Sequence, residues 1–197
     1  HKRIMLSDVY QQAAIENADS RKKDPDNHLL WRMPRRRMVM ETMRDATLAV
    51  SGELNVSTIG GRPFDFLSTP VVPRRSVYGF VNRDIISSLA STFDGANAAS
   101  CTAKRSETTV PQQTLFALNS VFIQDRAVAF SQRGANIEDA EQRVTFMYRQ
   151  AYSREPQDDE LETSLQFVSN QAGEETGDRW QQLAHVLLAA NEFVFVD

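Results

Sequence analysis

The chain has 197 residues, 41% of them hydrophobic and 24% charged, with a net charge of -4 and a mean hydropathy of -0.43. That length allows one domain with a sizeable core, no apolar run is long enough to span a bilayer, and the acidic balance argues against a nucleic-acid-binding domain. Cys101 is the lone cysteine, which excludes an internal disulfide. The charge is unevenly spread: residues 1–45 hold ten Lys/Arg against seven Asp/Glu, and the remainder holds twelve against nineteen.

The chain opens in helix-like sequence without an initiator methionine or a signal peptide, so it is expected to be a C-terminal fragment of a longer protein. Leu6, Val9, Tyr10 and Ala13 form a helical stripe that should end by Ala18–Ser20. The polar run Asn17–Asn27 reads as a loop with a turn at Asp24-Pro25. His28–Met33 is short and apolar, and Pro34 interrupts it. Arg35–Ser51 then reads as a helix, with Val39, Met43, Ala46 and Val50 at helical spacing and Gly52 just past its end. Glu53–Thr69 reads as a long loop or small hairpin.

Ser76–Val81 is rich in β-branched and aromatic residues and reads as a short strand. Asp84 is a candidate cap for a helix that turns Ile85, Ile86, Leu89 and Phe93 inward. Gly95–Ser106 reads as a loop. Thr108-Thr109-Val110-Pro111 is a helix entry, continued by Leu115, Leu118 and Phe122. A further stretch through Ala127 and Phe130 ends at Gly134. Asn136 is a candidate cap for a helix with Ile137, Ala140, Val144, Met147, Tyr148 and Ala151 on one face. Pro156 begins another, with Asp158, Asp159 and Glu160 in its first turn, where the helix dipole favours them. Asp178 caps a last helix that buries Trp180, Leu183, Ala184 and Leu187. Phe193–Val196 alternates weakly and suits either a short strand or packing against the bundle. The sum is an all-α, irregular multi-helix bundle of seven or so helices with one or two short strands.

Arginine is the residue type that most needs a partner, because its guanidinium stays charged and seeks carboxylate, phosphate or an aromatic face. On a continuous Arg35–Ser51 helix, Arg37, Glu41, Arg44 and Asp45 share one side and pair in series. One reading is an anion site in which Arg37 and Arg44 fork onto a carboxylate or phosphate. The other, which structural ion networks favour, is an internal network that pins the helix to its neighbours. Arg74, Arg75, Arg83 and Arg105 flank loops, where binding residues concentrate, yet pairing with the acidic C-terminal half accounts for them as well. Trp31, inside Leu29-Leu30-Trp31, fits core packing better than stacking on an arginine or a sugar.

Other chemistry is poorly served. His1, His28 and His185 are far apart, and no HExxH spacing exists. His185 reads as a core-edge residue. There is no GxSxG elbow, Walker loop, GxGxxG or CxxCH motif. Cys101 lies in a polar loop near Lys104 and Arg105, a setting that lowers a thiol pKa, but a lone loop cysteine is more often a bystander.

Several strings together carry a resemblance: HKRIMLSDVYQ at the start, DPDN followed by LLWR, RRRM, then MRDA and LAVSG. RRSVYGFV, ETTVPQQTL and LLAANEF follow. Nearly the whole chain resembles the C-terminal domain of unknown function of planctomycete-type exported bacterial proteins. That resemblance implies the C-terminal portion of the family's domain, following a c-type cytochrome domain and a second domain of unknown function. It implies a periplasmic or cell-envelope location. It implies no activity.

The expectation is therefore a single helical domain over 1–197, part of a larger multidomain protein. It is read as a noncatalytic interaction module whose partners are upstream domains of its parent or envelope proteins, with no nucleic acid and no transmembrane segment. No cofactor is expected in this chain; haem belongs to an upstream domain. The alternative is an enzyme domain acting on glycans or another anionic substrate. Its arginine-lined cleft would draw on the ligand-binding candidates Arg37, Glu41, Arg44, Asp45, Arg74, Arg75 and Arg105.

Overall fold

Helices dominate the computed structural model, which describes residues 1–101, 103–170 and 178–196. Thr102, inside the loop expected at 95–106, lies outside the described residues. Nine α-helices and one two-stranded antiparallel sheet occur among the described residues, so the fold is mostly α as expected. No helix among them is long and apolar enough to cross a membrane. The chain divides into two compact units, His1–Arg37 with the segment from Val194, and Met38–Phe193.

The first unit contains α1 (Lys2–Met5) and α2 (Ala18–Lys23). The stripe expected to run as one helix from Leu6 to about Ser20 does not do so. Ile4, Leu6, Val9 and Tyr10 are exposed, and a short helix without a burying surface is marginal in water. Instead α2 occupies the segment read as a loop. Asn17 caps it by accepting from the Asp19 and Ser20 amides, both at 3.0 Å, and Arg21, Lys22 and Lys23 fill its last turn, where the dipole favours cations.

Asp24, the one buried residue among 1–37, then organises a tight loop. Its carboxylate accepts from the His28 and Leu29 amides at 3.0 and 2.7 Å, and its carbonyl accepts from Trp31 Nε1 at 2.9 Å. Those amide donors hold the Asp24 carboxyl below its ordinary pKa, with the Leu29 bond the largest cause. Trp31 is half-buried, with the Arg32 guanidinium 5.2 Å from its ring centre. The unit closes with β1 (Arg36–Arg37) pairing antiparallel to β2 (Phe195–Val196).

The second unit begins with α3 (Met40–Val50). This corrects the expected Arg35–Ser51 helix. Arg36 and Arg37 are held extended by pairing with Val196 and Phe195, and Val39 is itself extended, so the helix starts five residues late. It ends as its sequence implies. Gly52 adopts φ +80, and the Gly52 and Glu53 amides donate back to Ala49 and Leu48 at 3.0 and 2.9 Å.

Between α3 and the next helix the chain has little regular structure. Ser76–Val81 is not a strand: Ser76–Tyr78 forms a 3-10 turn. α4 (Ser88–Thr92) begins four residues after the expected Asp84 cap, with Ser87 accepting from the Ala90 amide. Leu89 is buried as expected, whereas Ile85 and Ile86 precede the helix and face outward.

α5 (Pro111–Asn119), α6 (Val121–Arg133), α7 (Ala140–Tyr152), α8 (Asp158–Ser169) and α9 (Arg179–Ala189) build the bundle. Asp139, not Asn136, caps α7, and Asp178 caps α9. α6 packs on α9, and α7 and α8 complete the layer. Phe122, Ile123, Ala127 and Phe130 meet Val144, Met147, Leu183, Ala184, Leu187 and Leu188 in the core. Full burial of each large apolar side chain here contributes about 1.5–3 kcal/mol. His185 sits at the core edge, its Nε2 2.9 Å from the Ala117 carbonyl.

One clamp fixes the bundle's end. Arg154, just after α7, reaches Glu160 at 2.6 and 2.8 Å and Glu192 at 2.6 and 2.8 Å. The start of α8 is thereby tied to the turn that follows α9.

Candidate functional site

Three of the residues singled out above stand on α3, and the helix sends each to a different task. Arg44 points into the core and is 0% exposed. Its Nε donates to the Phe66 carbonyl at 2.8 Å, Nη2 to the Val72 carbonyl at 2.8 Å, and Nη1 to the Arg74 carbonyl at 3.1 Å. Nη1 also donates to Ser76 Oγ at 3.3 Å. The guanidinium carbon lies 5.0 Å from the Phe64 ring centre and 5.8 Å from that of Phe122. Burial pushes the Arg44 pKa down to about 10, opposed by Asp45 and reinforced by Arg126. The group therefore stays charged at neutral pH.

Asp45 completes this hub. Its Oδ1 lies 3.8 Å from Arg44 Nη1 and accepts from the Ser76 amide at 2.8 Å and from Ser76 Oγ at 2.7 Å. Main-chain carbonyls, which must find donors when buried, are what the guanidinium mostly satisfies. The hub thus fastens an irregular segment, residues 64–76, whose sheet-like pairing is limited to isolated bridges of Asn55 with Arg74 and Phe64 with Gly79.

Arg74 belongs to the same structure from the other side. Its carbonyl accepts from Arg44, while its guanidinium donates to the Gly60 and Arg62 carbonyls and lies 5.1 Å from the Phe64 ring centre. Gly79 lets the hub close. A Cβ there would stand 2.1 Å from the Phe66 ring, so Phe66 requires a residue without one.

Glu41 turns away from this hub. It takes a bidentate pair from Arg105, Nη1 to Oε2 at 2.8 Å and Nη2 to Oε1 at 3.0 Å. The Arg105 hydrogen bonds hold the Glu41 carboxyl below its ordinary pKa and Glu41 raises that of Arg105. The pair borders a partly open recess of about 140 Å³, lined also by Met40, Phe66, Phe80, Ile86 and Ala90.

The remaining candidates are elsewhere. Arg37 lies in β1, in the first unit, rather than on the helix of Glu41, so it shares no helix face with Glu41, Arg44 and Asp45. Arg75 is exposed at the start of the 3-10 turn. Cys101 is exposed. No group of three or more His, Cys, Asp or Glu placed to hold a metal occurs among the described residues.

Two participants were not foreseen. Ser76 is central to the hub, and nothing in its local sequence marks it. Arg126 is 9% exposed on α6, its Nε 2.6 Å from Glu53 Oε2 and its guanidinium carbon 5.7 Å from the Phe122 ring centre. Its signal was available: it interrupts the apolar stripe of Phe122, Ile123, Ala127 and Phe130.

No curated protein and no solved structure matches the chain. A family model, described as "Protein of unknown function (DUF1553)", matches residues 1–168. Over most of its length, therefore, this chain belongs to the PSD1 (DUF1553) family of proteins of unknown function.

Proposed function

We propose that the chain is a noncatalytic helical interaction module, the C-terminal portion of a larger multidomain cell-envelope protein. The observation that carries this reading is how the arginines are used. Arg44 and Arg74 donate to carbonyls of the chain itself, and Arg105 is forked on Glu41. What surrounds the Glu41–Arg105 recess is an exposed apolar collar, with Phe80 55%, Val81 63% and Ile85 71% exposed. Exposed apolar patches with a polar rim commonly mark interaction surfaces. The resemblance to planctomycete-type exported proteins supports the periplasmic setting and the assignment of any haem to an upstream domain. The natural partners are then those upstream domains or a neighbouring envelope protein.

A glycan-processing cleft, the other reading, requires arginine donors gathered on an open site. The inward commitment of Arg44 and Arg74 favours docking over catalysis.

The test is cross-linking mass spectrometry on the full-length gene product, with exposed Lys104 as the reactive group near the collar. Reproducible links from Lys104 to one segment outside residues 1–197, lost in Phe80→Asp/Ile85→Asp, are expected. Links that are absent, or that are unchanged by the double substitution, overturn the proposal.

A further inference from the structure

The recess beside the Glu41–Arg105 pair has dimensions and chemistry that specify an occupant. Its volume of about 140 Å³ is close to the ~150 Å³ apolar cavity known to accept a benzene ring. Met40, Phe66 and Ala90, all buried, supply apolar lining, and Phe80 and Ile86 extend it outward to solvent. A single aromatic ring is of the size that such a space holds.

The polar groups at its border narrow the choice further. Glu41 and Arg105 are neutral as a pair, which gives a free anion or cation little net attraction. The fork uses two of the five N–H groups of Arg105 and one lone pair on each Glu41 oxygen. The pair thus offers guanidinium donors and carboxylate acceptors side by side. A peptide group, with one N–H and one C=O, is the complement of that arrangement.

We propose that the recess binds one aromatic side chain of an extended partner polypeptide. The ring enters the cavity and the adjoining peptide group hydrogen-bonds to Arg105 and Glu41. This rests on the reading of the chain as an interaction module and names what the module grips. The apolar collar of Val81 and Ile85 then covers the partner's neighbouring residues.

The experiment is a titration of the isotopically labelled 197-residue chain followed by amide NMR, with N-acetyl-phenylalaninamide, N-acetyl-alaninamide and toluene as probes. The phenylalanine amide should shift the amides of Glu41, Phe66, Ala90 and Arg105 saturably. The alanine amide should bind about tenfold or more weakly, since it lacks the buried ring. Ala90→Leu should abolish the saturable shifts by filling the space. Ala98→Phe, at a half-exposed lining position, serves the same end if Ala90→Leu disturbs folding. Arg105→Gln should weaken the phenylalanine amide while leaving toluene binding unchanged. Absence of saturable shifts at these amides, equal binding of the two acetylated amides, or full binding by both filled variants overturns the proposal. If the probes fail while Phe80→Asp/Ile85→Asp still abolishes the Lys104 cross-links, the recess proposal falls and the docking module stands.

Discussion

Ser76 Oγ accepts a hydrogen bond from Arg44 at 3.3 Å and donates one to Asp45 at 2.7 Å, so a single hydroxyl sits between the two charges of one helix. Neither charge faces the other directly; their closest approach is 3.8 Å. The hub is a relay in which the serine and three carbonyls share the guanidinium.

Removing that guanidinium should be costly. Arg44→Ala leaves the Phe66, Val72 and Arg74 carbonyls without their donor and Asp45 without its counter-charge. The expected loss is about 3–5 kcal/mol, the range for breaking a buried charged network by deleting one member. Urea denaturation measures it. Arg44→Lys should recover only part, because an ammonium cannot reach three diverging carbonyls as a planar fork does. A midpoint unchanged from wild type would refute the hub.

Arg126 should behave differently despite similar burial. It pairs with one carboxylate, Glu53, whose side chain is 36% exposed and can rehydrate. Its charge also opposes that of Arg44. Arg126→Met keeps most of the stem's packing and is expected to cost less than Arg44→Met, because it strands one carboxylate rather than three buried carbonyls. The comparison with Arg44→Met under the same denaturant series decides it.

Gly79→Ala tests the close approach of Phe66. The backbone at Gly79 has φ -67, which alanine adopts readily, so the cost is steric and about 1–3 kcal/mol. Phe66→Leu removes the ring that the new methyl meets. The double variant should therefore be more stable than the sum of the two single losses, read from a double-mutant cycle.

Acid should weaken the fold through the paired carboxylates. Glu41 and Glu160 are held below the ordinary value of 4.5 by hydrogen bonds from Arg105 and Arg154. A depressed folded-state pKa contributes stability that is present above 4.5 and is lost as pH falls through the folded value. Melting temperature should accordingly decline as pH is lowered below about 4.5. Glu41→Gln/Glu160→Gln should melt lower at neutral pH and show a shallower acid decline. An acid decline as steep as that of wild type would assign it to other groups.

The helices of the bundle were legible because their signals are local. The stripe of Val144, Met147 and Tyr148, the acidic first turn at Asp158 and the cap at Asp178 each act within a few residues. What the sequence hid was non-local. Arg36 and Arg37 are drawn out of the expected helix by partners at Val196 and Phe195, and no local pattern reports that. Ser76–Val81 has the composition of a strand, yet its first residue is held in a turn by donating its amide to Asp45 and accepting from Arg44. The candidate site was half visible in the same sense. Glu41, Arg44, Asp45, Arg74 and Arg105 stand out in the sequence as residues in need of partners. The partner of Glu41 was hidden, because helical spacing suggests Arg37 or Arg44, and the chain supplies Arg105 from 64 residues away. Buried carbonyls, which take most of Arg44, carry no letter in a sequence at all.

The small sheet has a consequence for how the chain is made. β1 lies at Arg36–Arg37, and its only registered partner strand among the described residues is Phe195–Val196. A ribosome releases those two pieces with the whole sequence of the bundle between them. All the bundle helices emerge in the interval, so the bundle can condense while β1 still waits for its mate. The sheet of the first unit is thus closed only after the bundle's sequence has emerged. A stop codon in place of Phe195 would leave the bundle's helices intact and that seam open.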